Sequence, residues 1–140
     1  MMLSIACKAA IKAVVFLASR QKEGIKISLS EIAAHIDSSE HTVGKMLQIL
    51  VKDKVIKSSK GPGGGFYITR EQTAMPVINI VDSIDGMKVF DECGLGLSKC
   101  SSVHPCPIHN EYKKVRDLYE YIFRNNCVSD LCKPYNSKTA

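Results

Sequence analysis

The chain has 140 residues, a formal net charge of +5, 45% apolar residues and 24% charged residues. That balance suits an ordinary folded protein, excludes a disordered one, and fits one compact domain with an appended element. The longest apolar stretch, Ala9–Ala18, is broken by Lys12 and is too short to span a bilayer, and no basic–apolar–small-residue order marks a secretory leader. A cytoplasmic protein with no membrane partner is therefore expected, despite six Cys.

The charge is uneven. Residues 1–75 hold 11 Lys+Arg and 6 Asp+Glu, a net +5, whereas residues 76–140 hold 8 of each sign. A basic half joined to a neutral half suggests an acidic polymer as the partner of the first half.

Taken in chain order, Met2–Arg20 reads as a helix, with Ile5, Ala9, Ile11, Val14, Val15 and Ala18 at helical spacing. Gln21–Ile27 reads as a connection. Ser28-Leu-Ser-Glu31 matches a capping box that opens a short second helix carrying Ile32, Ala33 and Ile36. After the turn Asp37-Ser38-Ser39, a third helix is expected to about Lys54, with Val43, Met46, Leu47 and Leu50 inward. Val55–Lys60 and Phe66–Thr69 are strand candidates joined by Gly61-Pro-Gly-Gly-Gly65, glycines that let the backbone approach something closely. Pro76 opens a helix to about Asp85. Gly86–Pro107 is a Gly/Pro-rich loop with three Cys, long enough to be functional. Ile108–Asn126 reads as a final helix with an apolar stripe of Ile108, Tyr112, Val115, Leu118, Tyr119 and Ile122, and the polar tail from Lys133 is expected to fray.

Two short helices, a tight turn and a glycine-tipped hairpin describe a winged helix-turn-helix. The fold class is thus mainly α with a small β-hairpin wing, and double-stranded DNA is the expected partner. The inward residues of the third helix leave Ser39, His41, Thr42, Lys45 and Gln48 free to meet base edges or phosphates. On the hairpin, Lys60 and the tip glycines Gly63 and Gly64 are placed to meet phosphates or a minor groove. A phosphate-cradling nucleotide loop is disfavoured, because Phe66-Tyr67-Ile68 follows the glycines instead of Lys-Ser/Thr and a helix.

The loop adds a second constellation, Cys93-x6-Cys100-x5-Cys106-x2-His109. Three thiolates and an imidazole suit an iron–sulfur cluster, and zinc in a Cys3His site is open as well. His104 competes with His109 for the fourth place. Cys7 reads as a packed residue of the first helix, with a ligand role across a dimer as the other option. Cys127 and Cys132, five apart, do not share a helix face and read as structural or incidental. With no C-x-x-C pair and no carboxylate pair at a catalytic spacing, an enzyme is not expected.

The order Lys-Ala-Ala-Ile-Lys-Ala-Val-Val-Phe-Leu-Ala, Ser-Leu-Ser-Glu-Ile-Ala, Gly-Pro-Gly-Gly-Gly-Phe and Cys…Cys…Cys-Pro-Ile-His resembles the Rrf-two family of bacterial transcription regulators over about Met2 to Phe123. The resemblance implies a DNA-binding segment over residues 1–75. A second segment, 76–140, would hold a linker helix, the cysteine loop 86–107 and a dimerisation helix 108–126. It implies a homodimer on a palindromic operator, with affinity tuned by an iron–sulfur cluster that reports redox, nitric oxide or iron–sulfur status. The 2Fe–2S form is favoured over 4Fe–4S, and aerobic purification can leave the protein without it. By position, Cys93, Cys100, Cys106 and His109 would be the ligands. The alternative is a cluster-free regulator of the same family that responds to a small ligand, a partner protein or thiol oxidation.

Overall fold

Ser4 opens the first helix: its hydroxyl accepts the Cys7 amide at 2.9 Å, and α1 runs Ile5–Ser19. The computed structural model of the chain describes residues 3–92 and 107–133. A 3-10 turn, Gln21–Glu23, leads to Ile27. Ile27 is buried and exchanges both backbone hydrogen bonds with Phe66, each at 2.8 Å. The expected connection therefore ends as a third, one-residue rung beside the hairpin.

Helix α2 spans Leu29–His35, capped by Ser28, whose hydroxyl accepts the Glu31 amide at 3.2 Å. Helix α3 spans Glu40–Lys52 with Ser39 as its N-cap. Between them Asp37 takes a left-handed conformation (φ 55°), which short polar side chains tolerate better than branched ones.

The hairpin is shorter than expected. Strand β1 is Lys57–Ser59 and β2 is Gly65–Tyr67, antiparallel with Ser58 opposite Phe66. Val55 and Ile56 do not belong to it: both are buried, which the alternation of a strand cannot give to neighbours. A left-handed Lys54 (φ 63°) turns them back under α3, where the Val55 amide donates to the Leu50 carbonyl at 2.9 Å. Thr69 leaves the strand as well and caps the one-turn helix α4, Arg70–Thr73, in a full capping box with Gln72.

Helix α5 is Ile78–Ile84, two residues later than Pro76 suggested. Pro76 is instead held in an antiparallel bridge with Cys127, flanked by bonds from Val77 N–H to Asn126 O (2.9 Å) and from Val128 N–H to Met75 O (3.0 Å). The start of the expected loop is also structured, because Lys88–Phe90 forms a 3-10 turn that buries Val89 and Phe90. Helix α6 is His109–Arg124, and the short α7 is Val128–Leu131.

Two apolar clusters hold the chain. The larger joins α1, α2, α3 and the hairpin through Val14, Leu17, Ile32, Val43, Leu47, Leu50, Ile56 and Phe66, and also takes in Val77, Ile80 and Val128. The smaller gathers Leu3, Cys7, Ile78, Val81, Val89 and Phe90. Ile11, Ile84 and Phe123 pack against both, so apolar packing runs without a break past residue 75. Among the described residues, no helix is long and apolar enough to cross a membrane.

Candidate functional site

Helix α3 is amphipathic in the sense its sequence dictates. Val43, Met46, Leu47 and Leu50 are all buried, and His41, Thr42, Lys45 and Gln48 are all exposed. At 3.6 residues per turn, His41, Lys45 and Gln48 fall on one stripe with Thr42 beside it. Ser39 is exposed too, but its hydroxyl is engaged: it accepts the Thr42 amide at 3.2 Å and donates to Thr42 Oγ1 at 2.9 Å. That pair leaves the Thr42 hydroxyl proton free as a donor. At Gly44 a Cβ would stand 3.4 Å from Leu29 Cδ2, ordinary contact distance, so packing between α2 and α3 does not require a glycine there.

The wing glycines are fixed by the wing itself. A Cβ on Gly64 would lie 2.3 Å from the Ser59 carbonyl oxygen, and one on Gly65 would lie 2.7 Å from the Ile27 carbonyl oxygen. The close approach foreseen for this run is thus to the protein's own backbone. Gly63 and Lys60 are exposed at the tip, and Gly64 is half-buried.

Sequence reasoning missed Lys26. Its ammonium donates to Ser59 Oγ at 3.2 Å and stands 5.7 Å above the Tyr67 ring, at the root of the wing. Because Lys26 sits in a polar connection, only the Ile27–Phe66 pairing brings it to this face. Lys26, Lys45, Lys52, Lys54, Lys57 and Lys60 are all exposed, and none is in an ion pair among the described residues. Such unneutralised cations around a helix and a hairpin tip can displace counterions from a phosphate backbone.

The second constellation lies at the other end of the chain. Cys93, Cys100, Cys106 and His104 fall outside the described residues. His109 is the first residue of α6 and is buried. Among the described residues, no three His, Cys, Asp or Glu side chains form a metal-holding group. Cys7 is a packing residue: it is sealed in the smaller cluster, and burial, with the Asp85 charge added, pushes its thiol up to about 12. Cys127 caps α7 through Asp130, which accepts the Cys127 amide at 2.9 Å and its thiol at 3.1 Å. Cys132 is half-buried near the Val15 and Val128 carbonyls, and burial raises its pKa. Of the two readings left open by their spacing, structural or incidental, these bonds favour the structural one.

Helix α6 has two apolar stripes. Tyr119 and Phe123 pack inward in a tilted and edge-on aromatic group with Phe90. Val115, Leu118 and Ile122 are 52%, 60% and 46% exposed, and Ile108 is exposed at the helix start. The single stripe expected from sequence is thus divided, with Tyr112 and Tyr119 half-buried and the rest facing out.

Comparison with known proteins is consistent with this architecture. The family model Rrf2, described as an iron-dependent transcriptional regulator, matches residues 3–134. An Aquifex aeolicus (strain VF5) protein described as an HTH-type transcriptional regulator is 26% identical over 124 residues, covering 87% of this chain and 85% of that protein. The structure of CymR, the global cysteine regulator of B. subtilis, superposes with a TM-score of 0.78 at 18% identity, over 97% of this chain and 99% of the other. The T. potens IscR structure gives 0.71 at 21% identity, over 99% and 96%. A winged helix-turn-helix with an exposed, cationic third helix, matched by the family model from Leu3 onward, places the chain in the Rrf2 family of transcriptional regulators.

Proposed function

We propose that the protein works in the cytoplasm as a homodimer that reads a palindromic operator through α3 and the wing, with its operator affinity set by an iron–sulfur cluster on Cys93, Cys100, Cys106 and His109. The observation that carries the DNA half is the exposed stripe His41, Lys45 and Gln48 beside Thr42, bordered by lysines that form no ion pair among the described residues and by Lys60 on the wing. Lys45 and Lys60 serve phosphates, whereas His41, Thr42 and Gln48 serve base edges. Ser39 fixes the helix start, and Gly63 and Gly64 carry the wing tip toward the backbone.

Dimerisation is supported by the outward stripe Val115, Leu118 and Ile122, an apolar face too continuous for solvent. An isologous contact along it gives two reading heads for two half-sites, about 34–36 Å apart or at a multiple of that spacing.

The donor set suits a cluster. Three soft thiolates with one imidazole match iron–sulfur chemistry, and the 2Fe–2S form is preferred over 4Fe–4S. Among the described residues, Arg116 Nε is buried without a hydrogen-bond partner, a cationic donor that suits an anionic group. When bound, the group supplies a centre that changes with oxidants, nitric oxide or iron supply.

A second reading, a cluster-free regulator answering to a small ligand, a partner protein or thiol oxidation, is supported by the likeness in fold to the B. subtilis cysteine regulator.

The test is isolation without oxygen, followed by iron and sulfide analysis and selection of bound duplexes from a random library. The proposal expects stoichiometric iron and sulfide, a recovered palindrome, and different affinities with and without the cluster. Iron-free protein after anaerobic reconstitution, with palindrome binding retained, would instead establish the second reading. Leu118→Asp should convert the dimer to monomer in sedimentation, and a dimer that survives it would overturn the α6 interface.

A further inference from the structure

The end of α1, the turn Gln21–Glu23, α4 and α7 leave a cleft between them, with a volume of about 590 Å³. A second cavity of about 380 Å³ lies against Tyr67 and Ile68 at the root of the wing. The two meet at Gln21 and Arg70, which line both. Sites for small organic molecules usually hold about 300–1,000 Å³, so each is large enough for one.

The lining carries one sign of charge. Lys22, Arg70 and Lys133 line the larger cavity and Lys26 the smaller, and among the described residues no Asp or Glu lines either. The neighbouring carboxylates are accounted for. Glu23 pairs with Arg20 at 3.1 Å, and Asp130 accepts the Cys127 amide and pairs with Lys133 at 3.2 Å. Glu71, next to Arg70, is exposed and forms no ion pair among the described residues. Lys22 and Arg70 therefore bring two charges to one cavity with no carboxylate at ion-pair distance among the described residues. The hydroxyls add a second requirement. Ser19 Oγ donates to the Phe16 carbonyl and Thr73 Oγ1 to the Arg70 carbonyl, each at 2.6 Å. With their protons engaged, both oxygens are left as acceptors. An anion made only of acceptors can use the cations but not these oxygens.

We propose that the cleft binds a small organic anion that carries two acidic groups, phosphate or carboxylate, together with a hydroxyl. Lys22 and Arg70 take the acidic groups, Arg70 through its planar fork, and Ser19 and Thr73 accept from the hydroxyl. Arg70 directly follows the Thr69 cap beyond β2, and Lys26 donates to Ser59 of β1, so the ligand sits against the base of the hairpin. The site needs neither a cluster nor a dimer. It offers a place for the small ligand of the second reading without resting on that reading.

The experiment titrates the full chain with 3-phosphoglycerate, citrate and sulfate at constant ionic strength and follows the backbone amide resonances. Saturable shifts are expected at Gly24, Arg70, Thr73 and Ser129 with 3-phosphoglycerate or citrate, and the tighter of the two tells phosphate from carboxylate. Sulfate, which has no hydroxyl to donate, should bind at least about tenfold more weakly, the size of one good hydrogen bond. Arg70→Met should weaken binding of the organic anion about tenfold as well, Arg70→Lys should recover part of the loss, and Lys22→Met should weaken it too. Both side chains are exposed, so the variants should melt with the wild type, which separates lost binding from lost folding. Sulfate binding as tightly as both organic anions would reduce the cleft to a cationic surface and overturn the proposal. So would equal affinity of wild type, Arg70→Met and Lys22→Met, or no saturable shift at these amides up to about 10 mM of either organic anion. None of these readouts involves DNA or iron, so the proposal stands or falls apart from the function proposed above.

Discussion

Ser83 Oγ donates to Asp53 Oδ2 at 2.5 Å, joining α5 to the residue that ends α3. Two residues further on, Asp85 accepts the Ser4 amide at 2.9 Å and the Ser4 hydroxyl, which fixes the start of α1. Helix α5 is thus a strut between α3 and the smaller apolar cluster that underlies Lys88–Phe90. Ser83→Ala should lower stability by about 1 kcal/mol, the usual net value of one hydrogen bond, seen as an earlier urea midpoint at unchanged slope. An unmoved midpoint would mean that water replaces the bond without loss.

Two glycines predict opposite signs. Gly44→Ala places its methyl at ordinary contact distance from Leu29 Cδ2 and should stabilise α3 by about 1 kcal/mol, by removing a helix-interior glycine. Gly65→Ala drives a Cβ to 2.7 Å from the Ile27 carbonyl oxygen, at φ 151°, and should cost about 1–3 kcal/mol. Thermal melts of the two variants should bracket the wild type. A destabilised Gly44→Ala would show that α2 and α3 have no room for one methyl.

On DNA, Lys60→Ala should weaken binding to all duplexes alike and reduce the slope of log affinity against log salt by about 1. Gln48→Ala should instead cost about 1–3 kcal/mol on the operator only, relaxing preference at one base pair. Titrations on operator and random duplex at several salt concentrations separate the two. Equal losses on both duplexes for Gln48→Ala would remove it from base reading.

Acid should undock α7. Asp130 is held at about 2, first by the Cys127 amide, then by the Cys127 thiol and Lys133, against an ordinary value of 3.8. Its folded pKa is depressed, so its contribution is complete above 3.8 and disappears as pH falls from 3.8 toward 2. Asp130→Asn should flatten the dependence of melting temperature on pH in that window. An identical acid limb in both proteins would assign the loss to other carboxylates.

Helices α1–α3 were legible because their period, caps and inward residues agree. Ser28, Ser39, Val43, Met46, Leu47 and Leu50 all do what local rules ask of them. One-turn elements were not, since four residues are too few to show a period. Thr69-x-x-Gln72 did carry a readable capping signature, and it explains why Gln72 is buried and reaches the Lys54 carbonyl at 3.0 Å. Arg116 was hidden by its setting. It lies among Lys113, Lys114, Asp117 and Glu120, which read as a solvated face, and only the inward packing of Tyr119 and Phe123 shows that its side of the helix is covered. The glycine run was recognised as a turn, but its contacts with Ser59 and Ile27 depend on the hairpin's closure and on the Ile27 bridge beside it, which adjacent residues cannot reveal.

The Ile27–Phe66 pairing has a mechanical consequence. Ile27 immediately precedes the Ser28 cap of α2, and its two backbone bonds fasten the hairpin to the same short stretch of chain that launches the helix pair. The hairpin is thus tied to the helix pair at a second point besides its chain connection through Lys54–Ile56. If α3 and the wing grip a duplex as proposed, this second tie makes retuning the grip a matter of carrying both together to a new place or angle, not of flexing either prong.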